Sequence, residues 1–187
     1  MRIFVTGANG QLGQELVRCV TAAGHTAIGS THESLDITNE QAVIATISEA
    51  KPDVVIHAAA WTAVDACESD PNKAMLVNGT ATAYIAAAAH AVGAHVVYIS
   101  TDYVFDGTKT SPYVEADVPN PTSVYGESKL AGERALGATD AIVRIAWVSG
   151  YHGANMVKTI LRLRNEPQLR LLTTRLAIQR LPTMPRR

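Results

Sequence analysis

Apolar runs of five or six residues alternate along this chain with longer stretches in which apolar positions return every three or four residues. The short runs, Arg2 to Thr6, His25 to Gly29, Asp53 to Ala58, His95 to Ser100 and Ala141 to Ile145, predict β-strands. Between the first two, Leu12, Leu16, Cys19 and Val20 form one stripe of a helix, which makes Cys19 a packed core thiol. Thr38 is placed to cap a second helix that runs to Ala50 and is broken by Lys51-Pro52-Asp53. An alanine-rich helix is expected from about Asn72 to Val92, closed by Gly93, and another from Ser123 through Leu136 to Gly137. Near-continuous apolar strands alternating with helices predict an α/β fold, a doubly wound parallel sheet with helices on both faces.

Between the first strand and first helix stands Thr6-Gly7-Ala8-Asn9-Gly10-Gln11-Leu12-Gly13. Gly7 would make the tight turn, Gly10 would admit a pyrophosphate to the backbone, and Gly13 would let helix and strand pack closely. The free amides of a helix N-terminus then hold the anion, so the turn predicts a Rossmann-like dinucleotide site. No Gly-Lys-Ser or Gly-Lys-Thr follows, which disfavours a nucleotide triphosphatase. At the end of the second strand, Gly29-Ser30-Thr31-His32 offers no acid to hold a ribose 2′-hydroxyl, which leans toward NADP over NAD, although no arginine stands there either. Asp36 and Ile37, in the next loop, could meet the adenine, or Asp36 could serve the loop as a cap.

Tyr125 and Lys129 are four residues apart on a predicted helix and so share a face. A phenol titrates near 10. An ammonium about 4 Å away at an effective dielectric of ~20 would stabilise its anion by roughly 4 kcal/mol and lower the pKa by about three. Thr101, at the end of the fourth strand, lies where open α/β sheets bind ligands, and its hydroxyl could donate to a carbonyl oxygen that Tyr125 protonates; Thr101 and Asp102 could also merely cap a turn.

With 187 residues, 47% hydrophobic and 18% charged, the chain has room for one large globular domain. A net charge of -1 excludes a global attraction to nucleic acid or anionic membrane. Cys19 and Cys67 are too few for a disulfide scaffold and suit a reducing cytoplasm. The uncharged stretch from Ala74 to Thr101 holds Asn78, Thr80, Thr82, His90 and His95, against a membrane span.

Together these residues resemble the extended short-chain dehydrogenase/reductases and, within them, the dTDP-4-dehydrorhamnose reductase family. The resemblance spans about residues 1–172 and rests on the glycine turn, His57 to Asp65, Val77-Asn78-Gly79-Thr80, Ser100 to Gly107, Tyr125 to Glu133, and Arg144 to Val148. It implies Thr101, Tyr125 and Lys129 as the catalytic set, with Tyr125 as proton donor and Lys129 on the nicotinamide ribose. It places Gly10, Gln11, Leu12, Asp36, Ile37, Ala60, Trp61 and Thr62 along the cofactor, and Thr101, Asp102 and Trp147 at the sugar nucleotide. Asn78 is similar to the helix asparagine that supports a proton relay to the lysine. The implied reaction is reduction of dTDP-4-dehydro-6-deoxy-L-mannose to dTDP-L-rhamnose by NADPH or NADH. Dehydratases of the superfamily follow the threonine with Asp-Glu; Thr101-Asp102-Tyr103 lacks the glutamate, which favours reduction without elimination. Some members hold Mg2+ between subunits, for which Glu15 is a candidate ligand, and a homodimer is left open.

The last thirty residues depart from this pattern. Lys158 to Arg187 carries eight basic residues and one acid, Glu166, a net +7 against -8 for residues 1–157. Family members read Asp-Gln-x-Gly-x-Pro-Thr where this chain has Thr173 to Pro182. The coding ACG-ACC-AGG-TTG-GCG-ATC-CAA-CGC, permitted for Thr173 to Arg180, reads from its third base as Asp-Gln-Val-Gly-Asp-Pro-Thr. The expectation is therefore a frameshift, with residues 1–150 as the NAD(P)-binding domain and 151–187 as the remnant of a largely missing substrate domain. Two other readings stay open, a non-catalytic NADP-binding module and, from the basic tail, an arm for nucleic acid or an anionic surface; Leu169 to Leu172, which reads as a strand, argues against the arm.

Overall fold

A computed structural model of the chain describes residues 1–164. The Leu169 to Leu172 strand, most of the basic tail and the proposed frameshift lie outside them. Five strands, β1 (Arg2–Thr6), β2 (Thr26–Ser30), β3 (Val54–His57), β4 (His95–Thr101) and β5 (Ala141–Ile145), form one wholly parallel sheet in the order β2-β1-β3-β4-β5. Every pairing is parallel because each crossover carries a helix: α1 (Gln11–Ala22), α2 (Glu40–Ala50), α3 (Val64–Ser69), then α4 (Pro71–Ala74) running through a π-helical stretch (Met75–Thr80) into α5 (Ala81–Ala91), and α6 (Val124–Arg134). α7 (Met156–Arg162) follows β5. Strand order reverses between β1 and β3, and the crevice at their carboxyl ends is where such sheets take ligands.

The sheet is apolar on both faces where helices cover it. Phe4, Val43, Ile47, Val55, Ile85, Val96 and Tyr98 meet in the main cluster, each worth about 1.5–3 kcal/mol as buried apolar area. β5 is different: it is an edge strand, and Ile142 and Val143 remain exposed.

Three local expectations change. Cys19 is exposed, because the sheet-facing stripe of α1 runs through Gly13, Leu16, Val17 and Val20, and its sulfur lies 3.7 Å from the Arg18 guanidinium. α2 is capped by Asn39, whose side chain accepts from the Ala42 amide; Thr38 instead donates its backbone and hydroxyl to Asp36. The alanine-rich helix starts at Pro71, behind an Asp70 cap, and widens over Met75–Thr80. The wide turn carries Asn78, whose side chain bonds outward to another segment, a tertiary demand that helical periodicity does not encode.

Candidate functional site

The glycine turn has the geometry its spacing predicts. Gly7 is left-handed at φ +68° and abuts the backbone of Ala58 and Ala59, so the turn lies directly against the end of β3. A Cβ on Gly13 would overlap the Gly7 carbonyl oxygen. Gly10, at the start of α1, provides no side-chain cap, and no acid stands in the first turn. The Gly10 amide bonds to the Gly7 carbonyl at 2.9 Å, while the first-turn amides after it meet no side-chain acceptor and can receive an anion, as a pyrophosphate requires. Ser30, at the end of β2, holds the one buried side-chain oxygen without a hydrogen-bond partner among the described residues. An open cradle, uncapped amides and an unspent hydroxyl fit a bound dinucleotide. Gln11 closes one side by donating to the Val148 carbonyl at 2.9 Å, and Leu12 beside it is half-buried.

A directional chain of hydrogen bonds ties this turn to the rest of the crevice. The Thr6 hydroxyl oxygen accepts from the Ala58 and Ala59 amides, both at 3.1 Å, so its hydrogen goes to His57 Nδ1 at 2.7 Å. His57 is then protonated on Nε2 and donates to Thr82 Oγ1 at 3.2 Å, which donates to the Asn78 carbonyl at 2.7 Å. The Asn78 side chain accepts from the Trp61 amide at 2.8 Å and donates to the Trp61 carbonyl at 3.1 Å and to Ser128 Oγ at 3.0 Å. Asn78 thus holds the Ala60-Trp61-Thr62 segment and, through the Ser128 bond to the Tyr125 carbonyl, the start of α6. Its partners are these groups rather than the Lys129 ammonium.

Full burial and the nearby Lys129 charge hold His57 neutral, with its pKa lowered to about 3. Unfolded, it would titrate near 6.5. Between those values the unfolded chain binds a proton that the native chain refuses, so the contribution of His57 to stability is full above about 6.5 and is lost as pH drops toward 3. The slope reaches about 1.4 kcal/mol per pH unit. Asp36, Asp106, Asp117 and Asp140, all held below their ordinary pKa of 3.8, add acid sensitivity only below that value. Urea unfolding at pH 7, 5.5 and 4.5 should show this loss in the native chain and not in His57→Gln; parallel pH profiles would refute it.

Ser123 caps α6 and sets Tyr125 and Lys129 one turn apart, both buried. Tyr125 is 8% exposed, packs with Cys67 and Ala74, and meets Tyr103 edge-on. Desolvation raises its pKa to about 12, against the lowering influence of the Thr101 side chain and with Asp102 adding to the rise. The sequence-based expectation of a phenol acidified by Lys129 is therefore corrected. Lys129, 2% exposed, donates to the Ile99 carbonyl at 2.8 Å and lies 4.0 Å over the Tyr98 ring. Burial lowers its pKa to about 7 against the stabilising Glu133 charge.

Thr101 takes the capping role its position allows. It caps the short helical turn Asp102–Val104 by accepting from the Tyr103 amide at 3.2 Å, and it donates to Asp102 at 3.1 Å. Trp147 stands just past β5 in a left-handed conformation (φ 52°), 46% exposed. Asp36 is exposed and accepts from Thr38, and Ile37, 9% exposed, packs in the main core. Glu15 pairs with Arg18 at 2.8 Å and faces His152 at 3.7 Å; no cluster of His, Cys, Asp and Glu among the described residues could hold a metal ion.

Sequence reasoning missed the groove between the glycine turn and β2. It is an opening of about 410 Å³ lined by Ala8, Asn9, Gln14, Val17, Arg18, Gly29, Thr31 and His152. It also missed Ser128, and a second buried cluster in which Glu133 accepts from Ser100 at 2.5 Å and from Arg144 at 2.9 and 2.6 Å. These pairings link residues eleven to fifty positions apart, beyond any local periodicity.

Comparison with known proteins matches residues 1–183 to the model of the RmlD substrate binding domain. A dTDP-4-dehydrorhamnose reductase of Burkholderia thailandensis is 46% identical over 169 residues, covering 89% of this chain and 56% of that protein. Spore coat polysaccharide biosynthesis protein SpsK of Bacillus subtilis is 41% identical, covering 89% and 60%. Among solved structures, a dTDP-4-dehydrorhamnose reductase of Bacillus anthracis in complex with NADP superposes with a TM-score of 0.85 at 40% identity, covering 89% of this chain and 61% of that one. The chain thus spans less than two thirds of the length of these relatives. Among the described residues no helix is long and apolar enough to cross a membrane.

Proposed function

Because the chain belongs to the RmlD substrate binding domain family, we propose that its residues 1–150 bind NADP(H) and reduce the 4-keto group of a dTDP-linked 6-deoxy sugar. The substrate in this reading is dTDP-4-dehydro-6-deoxy-L-mannose, the product is dTDP-L-rhamnose, and the reaction is cytoplasmic. The observation that carries it is the placement of buried Tyr125 and Lys129 one turn apart on α6, which packs against β4 and the Asp102–Val104 turn beside Thr101, in a sheet whose switch point holds an open glycine turn.

When bound, a reduced nicotinamide supplies the hydride to the sugar carbonyl carbon. Tyr125 then has one task, to give its proton to the carbonyl oxygen as charge builds there. A phenol held up to about 12 is fully protonated at neutral pH, the state a reductase's acid must start from. Thr101, at the carboxyl end of β4, would turn its hydroxyl from Asp102 to steady the same oxygen by a hydrogen bond. Lys129, lowered to about 7, is poised to exchange a proton near neutrality and to meet the ribose hydroxyls from within α6. Gly7, Gly10, Gln11, Leu12 and Gly13 would hold the pyrophosphate, and Ala60, Trp61 and Thr62 the nicotinamide side, on the backbone that Asn78 clamps. Asp102 and Trp147 would face the sugar nucleotide. The missing acid after Asp102 supports reduction over elimination.

Incubating the chain with NADPH and the keto sugar nucleotide should consume reduced nicotinamide in step with product. Saturable NADPH binding without any consumption would replace the enzyme by a binding module of the same fold, and no dinucleotide binding would overturn the reading altogether.

A further inference from the structure

The groove beside the glycine turn has a cation at its rim that the sequence order conceals. The end of β2 is where sheets of this type contact the adenosine ribose, and Gly29, Ser30 and Thr31 there include no acid. The arginine absent from that strand end arrives from α1: Arg18 lines the same groove as Gly29 and Thr31. Gly29 forms the floor, since a Cβ there would strike the Ala8 side chain at 2.7 Å and reach Val17 at 3.6 Å. His152, from the segment after β5, borders the opening and adds a second nitrogen-bearing side chain. The one acid paired within this group is Glu15, which holds the Arg18 Nε at 2.8 Å and lies 3.7 Å from His152.

We infer that Arg18 is the residue that selects for a phosphate monoester on the adenosine ribose, making the groove a 2′-phosphate subsite. This rests on the dinucleotide reading above and goes beyond it by assigning the discrimination to one side chain. The guanidinium is two-thirds exposed, held by Glu15 three residues away in a solvent-exposed pair weak enough to yield to a dianion, and touches the Cys19 sulfur at 3.7 Å. A planar fork of donors grips a phosphate on two oxygens, and a 2′-hydroxyl offers it no charge in return. Thr31 and Asn9, which also line the opening, carry small polar groups of the kind such a phosphate needs.

The test is equilibrium titration of the whole chain with NADPH, NADH, 2′,5′-ADP, 5′-AMP and inorganic phosphate. The native chain should prefer NADPH to NADH, and 2′,5′-ADP to 5′-AMP, by about tenfold or more. Arg18→Gln should reduce both preferences to within about twofold, leave NADH binding and the melting temperature unchanged, and Arg18→Lys should retain part of each preference. Equal loss of NADPH and NADH in Arg18→Gln, an unaltered preference, or a native preference for NADH would overturn the assignment while leaving dinucleotide binding intact. Arg18-dependent capture of inorganic phosphate without any preference for NADPH would mark a free-anion site and would also overturn it. Failure of the native chain to bind either dinucleotide would remove both readings together.

Discussion

Tyr125→Phe is expected to lower turnover of the keto sugar nucleotide by two to four orders of magnitude while NADPH affinity stays within about threefold. Loss of the oxygen removes the proton that must reach the substrate as hydride arrives, and nothing nearby replaces it: Thr101 already donates to Asp102 and titrates far too high to serve as an acid. The ring itself keeps its place, because Cys67, Ala74 and the edge of Tyr103 hold it by packing. The phenol's raised pKa also fixes the sign of the pH dependence. Tyr125 remains protonated across the neutral range, so any loss of rate between about pH 7 and 9 must come from another group, and Lys129, titrating near 7, is the one placed to cause it. Single-turnover rates and NADPH titrations on both proteins would check this, and a variant retaining more than a tenth of native turnover would exclude Tyr125 as the acid.

Gly13→Val should abolish dinucleotide binding and cost about 4 kcal/mol or more of stability, a loss in the range reserved for backbone overlap and severe overpacking. Even the first carbon of a side chain would overlap the Gly7 carbonyl oxygen and press on Ala8, both backbone of the turn that α1 abuts. The turn has no room to retreat, since Gly7 already touches Ala58 and Ala59 at the end of β3. Relief must come from moving α1 outward, which opens the Leu16, Val17 and Val20 packing against Ile3 and Val5 and displaces the amides that would hold the pyrophosphate. Urea unfolding and NADPH titration would measure both effects. Unchanged binding in Gly13→Val would show that the turn does not cradle the ligand.

The two parts of the site were readable to different degrees. The glycine turn was plain because its chemistry is local: a strand end, three glycines and a helix start lie within eight residues, and each glycine answers to a backbone constraint visible in the spacing. The Tyr125 and Lys129 pair was equally plain as a placement, since four residues on a helix make one face, but its electrostatics came out reversed. Proximity in sequence suggested an ammonium acidifying a phenol, whereas burial outweighs every charge around Tyr125, and Lys129 is directed to Ile99 and Tyr98. Cys19 failed for a related reason: an apolar stripe drawn on one helix does not say which edge of the stripe the sheet will cover.

From the chain alone follow the parallel α/β architecture, the position of its five strands and the glycine turn, because each depends on residue types at short, regular separations; Thr101, Tyr125 and Lys129 stand out as candidates in the same way, and their proposed roles come from the family resemblance. Tertiary structure decided which charges those residues feel, the tautomer of His57, the use of Asn78 as a clamp on Trp61, and the arrival of Arg18 beside Thr31. These rest on desolvation and on contacts between segments remote in sequence. Both are properties of how the chain is enclosed, and they arise only when the sheet has closed its helices around them.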